Sequence, residues 1–591
     1  LNCLTILILL LTAQGESYTK VYELGGITVT AKRPPLTSNL IIEINSEELV
    51  NKGANTVGDA LRFVPGIYPR TGSKSESRVE IFGIEQREIA VLLDGHPIYS
   101  PYDGTLDLDH ITLDNVSKIE IVLPPVSLLS GPNSPGGVVN IVTKKSEKSV
   151  SLGLSEGLNL KSSINYGDKI NDFFYYFSGG ISRSDGYLLP DGSLRDNSDF
   201  LRRKVTGKIG WEPDSKNTIG LSTAYYYSEK GLPLGLSRPR YWRFTDWRWH
   251  YVALHGKSEP DDRIKLLGSI YYDKHINTMT YYEDSTFTGI DGVSDYDNHT
   301  TGGYTTLSYN LTEFNSLTMG GSYNIDNVKK REDTDPWEKF EGKTMSLSLQ
   351  DRIIVPSLGL HLEGEIGYDG FRGPDSEIDF INYRTGALFF IESETSISVS
   401  FGRKNRFPTL KELYSGTTGN PDLNPEISTS YQLGLNSKYF KFVLFRNDIN
   451  DLIDRESRDT PFENINWARF QGVSVEGNYK YVRLGYTYLD AYDDSYEILD
   501  NRAKHMVNFA FNYSFNFGLN INLDGSWVDR RKDGDIYLDS YTLINANLIQ
   551  KISNFLSIKL NGYNLLNQWY EDAEGYPLPG RILGAETLIN F

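Results

Sequence analysis

"KVTGKIGWEPDSKNTIGLSTAYYYSEKG", residues 204–231, decides the fold. Val205, Ile209 and Trp211 share one parity in a first run, and Ile219, Leu221, Tyr225 and Tyr227 share one parity in a second. A short polar turn, 212–217, separates them. Period-two alternation gives strands with one apolar face, not helices. The design recurs at 307–325, 358–368, 396–404, 440–448, 508–527 and 556–567. Turns such as 312–316 are short, whereas 229–246, 282–301 and 326–341 read as long polar connections at the other end. That sidedness belongs to outer-membrane barrels.

Composition agrees. Aromatics are 13%, with 39 Tyr and 54 Gly, and mean hydropathy is only −0.39. No later stretch approaches the ~20 apolar residues of a membrane helix, whereas a barrel shows lipid only every second residue. A soluble solenoid or propeller would need a repeat of fixed period, and none is found. The net charge of −18 gives a nucleic-acid partner no electrostatic support. Residues 147–591 suit about 22 antiparallel strands at ~10 residues per span. A barrel so wide has a lumen to fill.

The first 145 residues differ. "LTILILLL" (4–11), followed by Ala13-Gln14-Gly15, reads as an export leader over 1–15. Cys3, the only cysteine, lies within it, so a mature chain has no disulfide, thiolate metal site or cysteine nucleophile. Ser46-Glu47-Glu48-Leu49 starts a short helix ended by Gly53, and Thr56-Val57-Gly58-Asp59 forms a capping box before a second. "REIAVLLDGHPIY" reads as two strands about Asp94-Gly95, with more strands at 117–123 and 136–145. This α/β unit, 36–146, is the natural plug for the lumen. Ahead of it, in the segment 16–35, Ile27-Thr28-Val29-Thr30-Ala31 is a strand-former fenced by Gly25-Gly26 and Pro34-Pro35, a strand without a partner of its own.

These segments resemble the TonB-dependent outer-membrane receptors, the shorter cobalamin-receptor-like and siderophore-receptor-like branch being nearest in length. "GGITVTAKR" resembles the TonB box. "NTVGDALRFVPGI", "VLLDGHPIYSPY" and "GPNSPGGVVNIVTKK" resemble plug signatures, while 405–426 and 564–581 resemble barrel signatures. The resemblance implies an outer-membrane importer whose box adds as a strand to the TonB protein, itself driven by an inner-membrane energising complex. It implies a terminal aromatic, Phe591, as assembly signal, and outer-membrane lipid and lipopolysaccharide as surroundings. Two departures stand out. Phe82-Gly83 and Leu123-Pro124-Pro125 replace pairs in which the family carries arginines that hold the plug to the wall; Arg70, Arg78 and Arg87 are candidate substitutes.

The cargo expected is a scarce metal chelate, cobalamin or a related corrinoid, with a ferric siderophore as the alternative. On the plug, Tyr68, Arg70, His96, Tyr99 and Tyr102 are expected to face it. On the barrel, Arg238, Arg240, Trp242 and Arg243 suit an anionic or aromatic ligand, or equally an aromatic girdle at lipopolysaccharide height. Asp191, Asp196 and Asp199 have oxygen-rich spacing for Ca²⁺, as do Asp291, Asp295 and Asp297. The 409–423 loop lacks the histidine that the resemblance requires for haem. No GxSxG or HExxH is present, so the chain reads as no enzyme, a barrel enzyme being the remote alternative.

Overall fold

The computed structural model describes residues 37–392, 394–455 and 460–591. The leader and Ile27–Ala31 lie outside the described residues. The chain first builds β1 (Ile41–Asn45), α1 (Ser46–Asn51), α2 (Val57–Leu61), β2 (Ile67–Thr71), β3 (Ser77–Ile81), β4 (Ile89–Leu93), β5 (His96–Pro97), β6 (Val116–Val122) and β7 (Gly137–Thr143). Asn45 caps α1 by accepting from the Glu48 amide at 3.0 Å, and Gly53 leaves it at φ +62°. The capping box on α2 forms as the sequence implies, with Thr56 and Asp59 satisfying each other's backbone. Five strands make a sheet in the order β1-β6-β7-β4-β5, with β4 and β7 parallel, and β2–β3 stands apart as a hairpin. Val57, Leu61, Val79, Ile81, Leu93, Ile119, Ile121 and Ile141 are the buried centre. The same cluster continues into Trp249, Phe445 and Phe470 of the surrounding wall, which seats the unit inside the lumen.

That wall is a closed barrel of 22 antiparallel strands. It starts with β8 (Glu147–Ser155), β9 (Asn159–Ile170), β10 (Phe173–Ser184), β11 (Phe200–Trp211) and β12 (Thr218–Gly231), and closes by pairing Ile582–Asn590 with β8. Closure leaves no edge strand. On β12 the outward Ile219 and Tyr225 are exposed, while the inward Ser222, Ala224 and Tyr226 are buried. Phe591 ends the chain on the outer surface, its amide donating to the Lys148 carbonyl at 3.0 Å.

Three connections are shorter than the sequence implies. Strands Trp242–Ser258, Ile264–Tyr282, Ile290–Thr312, Asn315–Glu332 and Glu338–Val355 leave only 232–241, 283–289 and 333–337 outside the ladder. A membrane crossing needs ~10 residues, so these strands continue above it. There the outer face meets water in place of lipid, the inner face meets the plug at a few places such as Tyr296 and Val328, and regular apolar alternation ceases. Pairs such as Asp295 with Arg331, in register and bonded at 2.8 Å, hold them together there.

Candidate ligand-binding vestibule

Lysines and arginines gather where the plug meets the outer loops. The β2–β3 hairpin carries Lys74 at its tip and Arg78 beside it, and Arg87 follows on the next turn. From the wall, α3 (Leu410–Tyr414), capped by Thr409 and Glu412, brings in Lys411. Burial pushes the Lys74 ammonium down and the neighbouring Lys411 pushes it further. Lys411 is lowered by burial, against the pull of Asp103, with Arg78, Arg455 and Arg87 adding to the fall. The helix lies on the plug here, the Lys411 amide donating to the Tyr102 carbonyl at 2.8 Å and Glu412 meeting Arg87. Lys74, Arg78, Arg87, Lys411 and Arg455 are all only partly covered. Arg87 is fixed by Glu412 at 2.7 Å, and Arg78 by Glu76 at 3.1 Å. The floor thus sets the ammonium groups of Lys74 and Lys411 beside paired arginines, with Tyr102 against it under the Lys330 ammonium, 5.6 Å from the ring centre. Lys74, Lys411 and Arg455 were not singled out from sequence; a lysine in the Gly-Ser-Lys-Ser-Glu-Ser tip of a hairpin was the available signal.

The residues expected at the apex divide. Tyr68 is buried against Arg531, Asp572 and Tyr541, its hydroxyl 2.9 Å from that of Tyr541, and Asp572 also accepts from the Thr71 amide at 3.1 Å. Tyr68 thus docks the hairpin onto two outer loops. Arg70 pairs with Glu80 at 3.1 Å and Glu85 at 3.6 Å, and Arg502 of the wall joins Glu85 at 3.0 Å. Tyr99 donates to Asp326 of the wall at 2.9 Å, and Tyr102 packs on Tyr296 with ring centres 5.5 Å apart. His96 departs from expectation. The Asp94-Gly95 turn, with φ of +49° and +87°, sits beside Lys208 near the inner end of β11, so His96 is fully enclosed against Tyr251 and far from the apex.

The outer-loop residues are also redistributed. Arg240 lies over Trp242, 4.8 Å from the ring centre, and Arg238 is exposed. Arg243 grips Asp199 with two bonds of 2.9 and 2.6 Å and reaches Asn197 at 2.6 Å. That pairing occupies a carboxylate expected to hold Ca²⁺. Asp191 is taken by the Ser193 amide and hydroxyl, and Asp196 is exposed. Asp295 and Asp297 pair with Arg331 and Lys274. Among the described residues no three carboxylate, histidine or cysteine groups converge on a metal position.

Family comparison settles what this vestibule belongs to. Residues 148–565 match the family model "TonB dependent receptor-like, beta-barrel", and 36–138 match "TonB-dependent Receptor Plug Domain". The chain belongs to the TonB-dependent receptors. It is an outer-membrane protein of a family of transporters and receptors that work with TonB, not of enzymes. Its fold is similar to "Copper transporter OprC" (TM-score 0.82, 15% identity, 94% of this chain and 100% of that one). It is similar also to the unliganded ferric citrate transporter FecA (0.79, 18%, 94% and 97%). A third similar structure is the siderophore receptor PirA from Acinetobacter baumannii (0.76, 16%, 93% and 98%).

The two missing plug arginines of this TonB-dependent receptor are replaced in different ways. Phe82 stacks on Phe445 of the wall, ring centres 3.8 Å apart and planes within 10°. At Pro124-Pro125 the cation comes from the barrel. Arg384, fully buried, donates to the Pro125 carbonyl at 3.0 Å and to Ser38 Oγ at 2.6 Å, while held by Glu363 at 3.1 Å and Glu365 at 2.8 Å. Gln432 donates to the Pro124 carbonyl at 2.8 Å, and Ser38 and Ser127 donate to the two glutamates. Of the candidate substitutes only Arg87 reaches a wall carboxylate, Glu412.

Proposed function

We propose that this receptor imports an anionic metal chelate of the ferric siderophore class, TonB engaging Ile27–Ala31. The lysines at the floor, Lys74 and Lys411, carry the reading, beside arginines already paired with Glu76 and Glu412. Clustered cations in a partly desolvated recess hold an anion far better than a nearly neutral corrinoid. The copper, ferric citrate and siderophore titles of similar structures support a metal chelate in general. A cobalamin cargo loses the acidic-loop argument, because Asp199 is engaged by Arg243. Outer-membrane lipid and lipopolysaccharide belong against the outward Leu, Ile, Val and Phe band.

The test is titration of the purified receptor with ferric citrate, a ferric tris-catecholate and cyanocobalamin, with and without Ca²⁺. An anionic chelate is expected to bind, to weaken about tenfold between ~0.05 and ~0.5 M salt, and to weaken again in Lys74→Ala with Lys411→Ala. Micromolar cyanocobalamin binding that Ca²⁺ tightens would reverse the assignment.

A further inference from the structure

Two cavities lie in series between the plug and one sector of the wall. The upper, about 370 Å³, runs from Tyr187 and Leu578 at the outer end to Lys161, Lys204 and Asp114. The lower, about 130 Å³, is bounded by Asp94, Lys208, Ser222 and His255. Asn115 and Thr206, 3.4 Å apart, stand between them. The upper space exists because the wall there presents small residues such as Ser163, Gly180 and Ser182.

This sector is basic. On β11, Arg202, Lys204 and Lys208 share the inward face, alternate positions lying ~6.7 Å apart along a strand, and β12 adds Lys230 above. A plug carboxylate meets each lysine: Asp107 with Lys230 at 2.7 Å, Asp114 with Lys204 at 2.6 Å, and Asp94 with Lys208 at 2.8 Å. Burial pushes Asp114 up, but Lys204 and Lys161 outweigh it and hold the carboxyl at about 2. Buried ion pairs are seldom more stabilising than apolar packing of the same volume, so holding the plug does not by itself select three of them in a row. The wall at strands Glu377–Glu392 and Thr395–Arg406 also carries inward cations. There, however, Arg384 and Arg406 are held by glutamates of the wall itself, Glu363, Glu365, Glu412 and Glu426, and Lys404 donates to Ser134 of the plug at 2.8 Å. The cavity on that side, about 160 Å³, is lined by Gly320, Ser322, Ser346 and Ser348 with the Asp326 carboxylate, and its Arg87 and Arg406 are tied to Glu412.

We infer that cargo crosses the lumen along the β8–β12 wall, where Lys230, Lys204 and Lys208 form a stair of cations. Asp107, Asp114 and Asp94 of the plug neutralise the stair at rest and uncover it when the plug moves. The inference rests on the anionic-chelate reading of the vestibule. Each uncovered lysine, in a site poor in water, attracts the anion more strongly than it would in bulk. Return of the plug carboxylates then displaces the anion, which gives the stair a reset.

Charge-swapped pairs test this, because they keep each plug–wall attraction while reversing the wall. In Lys204→Glu with Asp114→Lys, combined with Lys208→Glu and Asp94→Lys, vestibule binding of ferric citrate should be unchanged. TonB-dependent uptake of radiolabelled ferric citrate should fall about tenfold or more. Unchanged uptake overturns the path. Should the swap not fold, Lys204→Met with Asp114→Leu removes both charges, and the same fall in uptake is expected. Failure of the native receptor to bind ferric citrate or the tris-catecholate sinks the cargo reading alone. The path is then decided in planar bilayers under a KCl gradient, with urea at the inner face to loosen the plug of the full chain. Chloride preference lost in the swap supports the stair, and equal selectivity in both proteins overturns it.

Discussion

Phe82 holds φ at +51°, a region costly for a bulky side chain, directly before Gly83 at +80°. Its ring, 1% exposed, lies flat on Phe445. Dispersion and apolar burial thus act here beside the Arg502 guanidinium, which donates to the Gly83 carbonyl at 3.0 Å. Phe82→Ala should destabilise plug docking by about 3–5 kcal/mol, read as a lower plug transition in calorimetry with the barrel transition unmoved. A native-like plug transition would show that the stack contributes little. The substitution of Arg by Phe was visible in the sequence, but its partner was not, because Phe82 and Phe445 are brought together only by closure of the barrel. Arg384 was hidden for the same reason: nothing local in "NYRTGAL" marks it as the cation that meets Pro125 and Ser38.

At the scale of elements, period-two segments and turn residues made the strands, the two helices and the Asp94-Gly95 hairpin legible. Strand ends were not. Above the membrane the outer face no longer selects apolar residues, and the inner face does so only where it meets the plug, as at Tyr296. Ile290–Thr312 therefore runs on through "GVSDYDNHTT" with no alternation to announce it. The direction of a hairpin was equally silent. Local chemistry gives the turn at Asp94-Gly95 but not which end of the lumen it faces, and His96 was misplaced on that account. One element, Ile27–Ala31, is argued from sequence alone. If it augments a TonB strand, main-chain pairing supplies the affinity. Val29→Pro removes a donor and fixes φ, so uptake should be abolished while surface binding of the chelate persists. Equal loss of both in whole cells would remove the box assignment.

Across the whole molecule, plug and barrel are held by different physics. The barrel is a closed ladder of backbone hydrogen bonds. Plug docking leans on carboxylates facing wall cations: Asp94, Asp107 and Asp114 here, and Glu412 from the wall toward Arg87. Burial raises the three plug acids, but Lys208, Lys230 and Lys204 outweigh it and all three lie below the ordinary aspartate value, Asp114 at about 2. Glu412, also raised by burial, is held at about 2 first by Arg406 of its own wall and only then by Arg87. A carboxyl lowered in the native state binds fewer protons there than in the released plug. Its contribution is complete above the ordinary carboxylate range and is lost as pH falls through the native value. For Asp114, a change from 3.8 to about 2 corresponds to about 2 kcal/mol. Acidification from pH ~5 to ~2 should therefore release the plug before the barrel opens. The expected signature is protease cleavage within the plug at acid pH, using an acid-active protease, while far-ultraviolet dichroism of the barrel is unchanged. In Lys204→Met with Asp114→Leu that transition should shift to lower pH, because one titrating partner has been removed. A single transition in which plug and barrel signals are lost together would mean that the lumen contacts, charged or not, are integral to barrel stability.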